Sequence, residues 1–193
     1  MFMGLVGSEM CIRDRNELPE YKPRKVFIDL EALQYGRKSS GPKECRLKNK
    51  IWADWQTINV IGCYDNYTNK YTIWTQHPLA HEHLHSFSQI TPVKMMKFDG
   101  IDVEIRHFAN EYTMMQDFVI WLDDIDPDIL LAWGMGFYDL PTLYARLESL
   151  GIGAAKLSPS ALGKNRHVDE PSKWTKDRYN WTRQPIRGRT VIS

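Results

Sequence analysis

The sequence predicts an α/β fold with a mixed sheet at its centre, and three observations carry that expectation. Strand-like runs come first, at Val26–Leu33, Thr57–Tyr64, Tyr71–Thr75 and Val103–Phe108. Two segments with apolar residues at helical spacing follow, over Tyr112–Leu122 and Leu140–Leu150. Between them Ile129–Trp133 is a continuous apolar run of strand length, the pattern of a central strand covered on both faces. Strands interleaved with helices put the sheet in the middle and the helices against it.

At 193 residues the chain suits one domain with a core of its own. Its 42% hydrophobic and 25% charged residues are those of a globular chain. The net charge of +1 argues for no class of partner, but the charge is unevenly spread. From Asp99 through Asp139 ten acids face Arg106 alone, and from Lys164 through Arg189 eight Lys or Arg face three acids. The first segment suits cations and the second phosphates. Cys11, Cys45 and Cys63 form neither a C-x-x-C pair nor an even framework, which argues for a reducing compartment and against structural zinc. Nothing approaches the apolar length of a membrane span, about 18 residues. The expected location is the cytoplasm, with no membrane partner.

Residues 1–15 show neither helical nor strand periodicity and read as a non-native leader, which leaves 16–193 as the domain. Asn16–Lys25 is a polar lead-in to the first strand. Gln34–Lys50, rich in Gly, Ser, Lys and Arg, reads as a loop. Asp65–Lys70 joins two β-branched and aromatic runs as a hairpin turn. His77, His81, His83 and His85 are either a transition-metal site or a solvated loop, and Pro78 favours the loop. Asn110 is placed to cap the first helix, and Asp126-Pro127-Asp128 to break it. Pro141 near the start and Gly151 at the end bound the second helix. Thr190–Ser193 begins a further strand. Trp174–Arg183 mixes bases with aromatics, as single-strand grooves do, although a solvated loop fits better. Trp52 and Trp55 suit either core or surface.

Two stretches carry chemistry. In Val26–Leu33 the side chains alternate, so Asp29 and Glu31 share one face while Val26, Ile28 and Leu30 share the other. Neighbouring carboxylates repel, and a divalent cation with oxygen ligands relieves the repulsion. The competing reading is a half-exposed strand whose wet face carries two acids. The second stretch is Asp128–Pro141, in which Asp139 sits between an apolar strand and a helix start. There it is a helix cap, favoured by the dipole, or a further ligand.

Taken together, the two stretches resemble the exonuclease domain of family B DNA polymerases. Phe27-Ile28-Asp29-Leu30-Glu31 is similar to that family's first motif, a hydrophobic strand ending in D-x-E. Trp133 through Pro141 is similar to its second, N-x-x-x-[FY]-D followed by a hydrophobic residue and Pro. Glu111, Arg146 and the Arg187-Gly188-Arg189-Thr190-Val191 segment also fit, so the likeness spans roughly Lys25 to Ser193. It implies an RNase H-like, DEDD-type mixed sheet flanked by helices, incomplete at the C-terminus because the third motif falls beyond Ser193. It also implies two-metal hydrolysis (Mg²⁺ or Mn²⁺) of the 3′-terminal phosphodiester of single-stranded DNA. Asp29, Glu31 and Asp139 would be the catalytic, metal-binding acids, within reach of one metal site. Leu30, Gly134, Phe137 and Tyr138 would meet the substrate, with core packing the alternative for Phe137 and Tyr138. The implied partners are a primer 3′ end and a polymerase domain in cis, in a chain of viral or microbial origin. Gly134 stands where the family has Asn. A stand-alone exonuclease of the same superfamily, a degenerate strand-binding domain and an unrelated α/β domain remain open alternatives.

Overall fold

The structure, a computed structural model, describes residues 21–34, 56–76, 94–169 and 184–193. The leader, the 35–50 segment with Trp52 and Trp55, the histidines at 77–85 and the basic, aromatic 174–183 segment lie outside the described residues.

The strands are β1 (Lys25–Gln34), β2 (Gln56–Asp65), β3 (Lys70–Thr75), β4 (Lys94–Phe98), β5 (Ile101–His107), β6 (Ile129–Leu131) and β7 (Thr190–Ile192). They form one mixed sheet in the order β4-β5-β3-β2-β1-β6-β7. β1 is antiparallel to β2 on one side and parallel to β6 on the other. The expected hairpin is present as β2–β3, closed from Asp65 to Lys70. β4 departs from expectation, because all five of its residues are exposed and so show no burial alternation. Its cue in the sequence is Asp99-Gly100, both at positive φ (50° and 79°), the signal of a two-residue hairpin turn.

Two helices, α1 (Glu111–Ile125) and α2 (Leu140–Ser149), contribute to one core with the sheet. Val26, Ile28 and Leu30 of β1 join Ile61, Trp74, Met114, Phe118, Leu122, Leu143 and Leu147 there. Each such side chain contributes about 1.5–3 kcal/mol by leaving water. Asn110 caps α1 as expected, accepting from the Thr113 N–H at 2.9 Å. α2 ends as its glycine predicts. Gly151 takes φ 69°, its N–H reaches Glu148 O at 3.0 Å, and the Ile152 N–H reaches Leu147 O at 3.0 Å.

The expectation of a doubly covered strand at 129–133 is corrected. β6 ends at Leu131, Leu130 alone among its three residues is buried, and Trp133 is 97% exposed. A short strand with cover on one face buries alternate residues, not a continuous run.

Ion pairs take up much of the acidic segment. Glu104 pairs with Lys70 and Arg106, Asp117 with Arg106, and Asp123 with Arg166. Glu111 pairs with Arg146, and Asp126 with Arg189. Arg189 is itself buried and donates to Leu157 O and Pro127 O at 2.9 and 2.7 Å. The notion that the acidic segment serves cations and the basic one phosphates therefore fails for these residues, which hold elements together instead. Arg24 works similarly at the start of β1. It grips the Asp65 carboxylate with two donors, at 3.1 and 2.6 Å, and donates to Ile125 O at 2.7 Å.

Candidate active site

β1 presents its acids as the alternation requires. Asp29 and Glu31 are exposed, whereas Val26, Ile28 and Leu30 are at most 4% exposed on the opposite face. Leu30 is thus a core residue, and its side chain points away from the acids. Register shifts between Glu31 and Ala32, opposite which β2 carries one extra residue, Asn59. Such a bulge bends the strand that carries it.

Asp139 comes to the same region from β6. After Leu131 the chain turns and enters one turn of π-helix over Met135–Asp139, which runs directly into α2. Gly134 O accepts from the Tyr138 N–H at 2.7 Å and the Asp139 N–H at 3.2 Å. The widened turn leaves Asp139 with helical φ and ψ of −64° and −57° and no side-chain capping bond. Its carboxylate instead accepts from the Gly134 N–H at 3.1 Å. The cap reading of Asp139 is therefore overturned, and the backbone of Gly134 is what orients it. Single π-turns of this kind concentrate at functional sites.

The electrostatics tie these residues together. Burial, then the charge of Asp29, push the Asp139 carboxyl above its ordinary value, against the pull of backbone N–H bonds. The Tyr138 phenol is raised by burial and then by Asp139, Glu31 and Asp29, so all three acids act on one hydroxyl. Tyr138 is 38% exposed, which removes it from the core. Phe137 is described by its backbone alone. Among the described residues no group of three His, Cys, Asp or Glu side chains is set to hold a metal ion. The expectation that Asp29, Glu31 and Asp139 stand within reach of one metal site is therefore not met by the side chains as they lie, although their all-oxygen donor chemistry and mutual repulsion suit a hard divalent cation.

The residues that sequence reasoning missed are those whose role depends on the turn. Trp133 stands fully outside the core, and the Gly134 N–H, not a side chain, holds Asp139. Glu111 and Arg146 lie behind the site. The Arg146 guanidinium grips Glu111 with two donors, and the Ile58 N–H donates to the same carboxylate at 2.9 Å.

A mixed α/β domain with Asp139 just past the end of β6, and Asp29 and Glu31 on the parallel strand beside it, has the architecture in which open sheets bind ligands. The chain matches the DNA polymerase family B, exonuclease domain, over residues 65–191, about two thirds of its length, and it belongs to that family. The sheet and its helices are accordingly the RNase H-like exonuclease fold. Asp139 and its turn lie inside the matched span, whereas β1 with Asp29 and Glu31 precedes it. Comparison with curated proteins returns no match. Among the described residues no helix is long and apolar enough to cross a membrane.

Proposed function

We propose that the chain is the 3′→5′ proofreading exonuclease region of a family B DNA-directed DNA polymerase, hydrolysing the 3′-terminal phosphodiester of single-stranded DNA. The observation that supports this reading is the exposed Asp29–Glu31 face of β1 together with Asp139 held by the Gly134 N–H on the turn after the neighbouring β6, in a chain of the exonuclease family. Asp29, Glu31 and Asp139 would hold two divalent ions, Mg²⁺ or Mn²⁺. Such ions, when bound, lower the pKa of a water and stabilise the attacking and leaving oxygens. The chain's own contribution is orientation. The strand period of β1 puts Asp29 and Glu31 on one face, and the Gly134 N–H fixes one oxygen of Asp139, leaving the other for a ligand. Tyr138 keeps its proton at working pH, so its hydroxyl can donate to a water or a phosphate oxygen. The third family motif and the polymerase domain would follow Ser193, and the protein would act in the cytoplasm.

Gly134 favours a second reading, because it removes the side chain with which the family places the strand. On that reading the domain binds single strands without cutting them. One assay separates the two. The protein, carried through its third motif, is incubated with a 3′-labelled single strand, with and without Mg²⁺, beside an Asp29→Ala/Glu31→Ala variant. Losing ligands whose ions contribute several kcal/mol should slow the reaction at least about a hundredfold. Mg²⁺-dependent shortening lost in the variant is the expected result. Strand binding without shortening would leave the degenerate domain, with Gly134→Asn the reversion to try.

A further inference from the structure

We infer that Trp133 is a base-stacking residue at the mouth of the site, taking the face of a nucleobase close to the bond that is cut. This rests on the exonuclease reading for its substrate and goes beyond it in naming a residue. Of the exposed large hydrophobic side chains described, Trp133 stands highest at 97%, ahead of Tyr21 at 71%.

Its backbone is nevertheless held on both sides. The Ala132 N–H donates to Ile192 O at 3.3 Å, and the Ser193 hydroxyl donates to the carbonyl of Trp133 itself at 3.1 Å. The next residue, Gly134, has its N–H on the Asp139 carboxylate. An indole on an anchored backbone loses little freedom on meeting a ligand, which lowers the cost of binding.

Position points to the ligand. β6 runs parallel to β1 with Leu131 opposite Phe27. Trp133 follows the end of β6 by two residues and immediately precedes Gly134, whose N–H binds the Asp139 carboxylate, so the indole springs from the turn that holds that acid. Tyr138, whose phenol is influenced by all three acids, is exposed on the turn that follows. A phosphodiester held at those acids carries bases one sugar away on either side. A free aromatic face beside the acids suits a base without regard to its identity, as proofreading of any terminal nucleotide demands.

The test compares the full-length protein with Trp133→Ala and Trp133→Phe in binding 5′-labelled oligothymidylate, read by fluorescence anisotropy with Ca²⁺. Two oligonucleotides are used, one normal and one abasic at its two 3′-terminal positions. Trp133→Ala should weaken binding of the normal strand about tenfold, leave the abasic strand unchanged, and be rescued within about threefold by Phe. Its melting temperature should equal the wild type's, because a side chain this exposed packs against almost nothing. Equal weakening on both strands, no weakening, or no binding by the wild-type protein would each overturn the assignment. Should Trp133→Ala show the base-dependent loss while the wild type shows no metal-dependent shortening, the exonuclease reading fails and the stacking role stands. Shortening with no base-dependent loss gives the reverse.

Discussion

A carboxylate just before a helix ordinarily caps it, and Asp139 shows how that role is withheld. Its φ and ψ are already helical, and its side chain turns back to the Gly134 N–H. Burial and the Asp29 charge raise its folded-state pKa above the unfolded value. An acid shifted upwards subtracts stability once ionised. That penalty is absent below the unfolded pKa of about 4 and complete above the folded one. Asp139→Asn should therefore be more stable than the wild type at pH 7, with the gap closing as pH falls towards about 4. The same change should cut exonuclease activity at least about a hundredfold. Urea unfolding across that pH range, beside the strand-shortening assay, reads both effects. An Asn variant less stable than the wild type at pH 7 would mean that the ionised carboxylate is structural. The side-chain period of a strand made Asp29 and Glu31 legible as one face. The role of Asp139 was not legible, because a cap and a ligand are both written as Asp before a helix. Only the i→i+5 turn, a backbone event, separates them.

Elements with strong periodicity and explicit end signals were readable: α1 with Asn110, α2 with Gly151, and the β2–β3 hairpin. β4 was not, since an exposed edge strand has no buried face to print a pattern. Nor did the sequence say that Glu111 and Arg146, 35 residues apart, would meet. Their pair joins the first residue of α1 to α2, and the Ile58 N–H adds β2, so one carboxylate ties three elements behind the site. Glu111 is 6% exposed, and removing it takes a two-point carboxylate contact from the largely buried Arg146 guanidinium. Breaking one partner of a buried pair costs about 3–5 kcal/mol. Glu111→Ala should lose about that much in urea unfolding, and Glu111→Ala/Arg146→Ala should lose less than the sum of the single variants. Strict additivity would show that the two side chains do not act as a unit. Because α2 begins immediately after Asp139, loosening this tie should also weaken metal-dependent activity before the fold is lost.

At the scale of the whole molecule, ion pairs decide how the fold meets acid. Burial alone would push the Asp65 and Glu104 carboxyls up. The donors around Asp65, from Arg24, the Tyr67 N–H and Thr68, outweigh burial and hold it below its ordinary value. Lys70 and Arg106 do the same for Glu104. An acid lowered in this way contributes stability above its unfolded pKa and loses it as pH falls through the folded one. Asp139 acts in the opposite sense and is relieved by its first proton. Stability should therefore hold level or rise slightly from pH 7 towards about 5, then fall steeply below about 4 as Asp65 and Glu104 are protonated. The loss should be cooperative, since Asp65 anchors Arg24 at the start of β1 while Glu104 joins β3 to β5 through Lys70. Asp65→Asn and Glu104→Gln should each lower stability at pH 7 and flatten the acid limb, because each removes the proton uptake that drives it. Urea midpoints from pH 7 to 3 measure this directly. Acid limbs of equal slope in wild type and both variants would locate the acid sensitivity in other carboxylates.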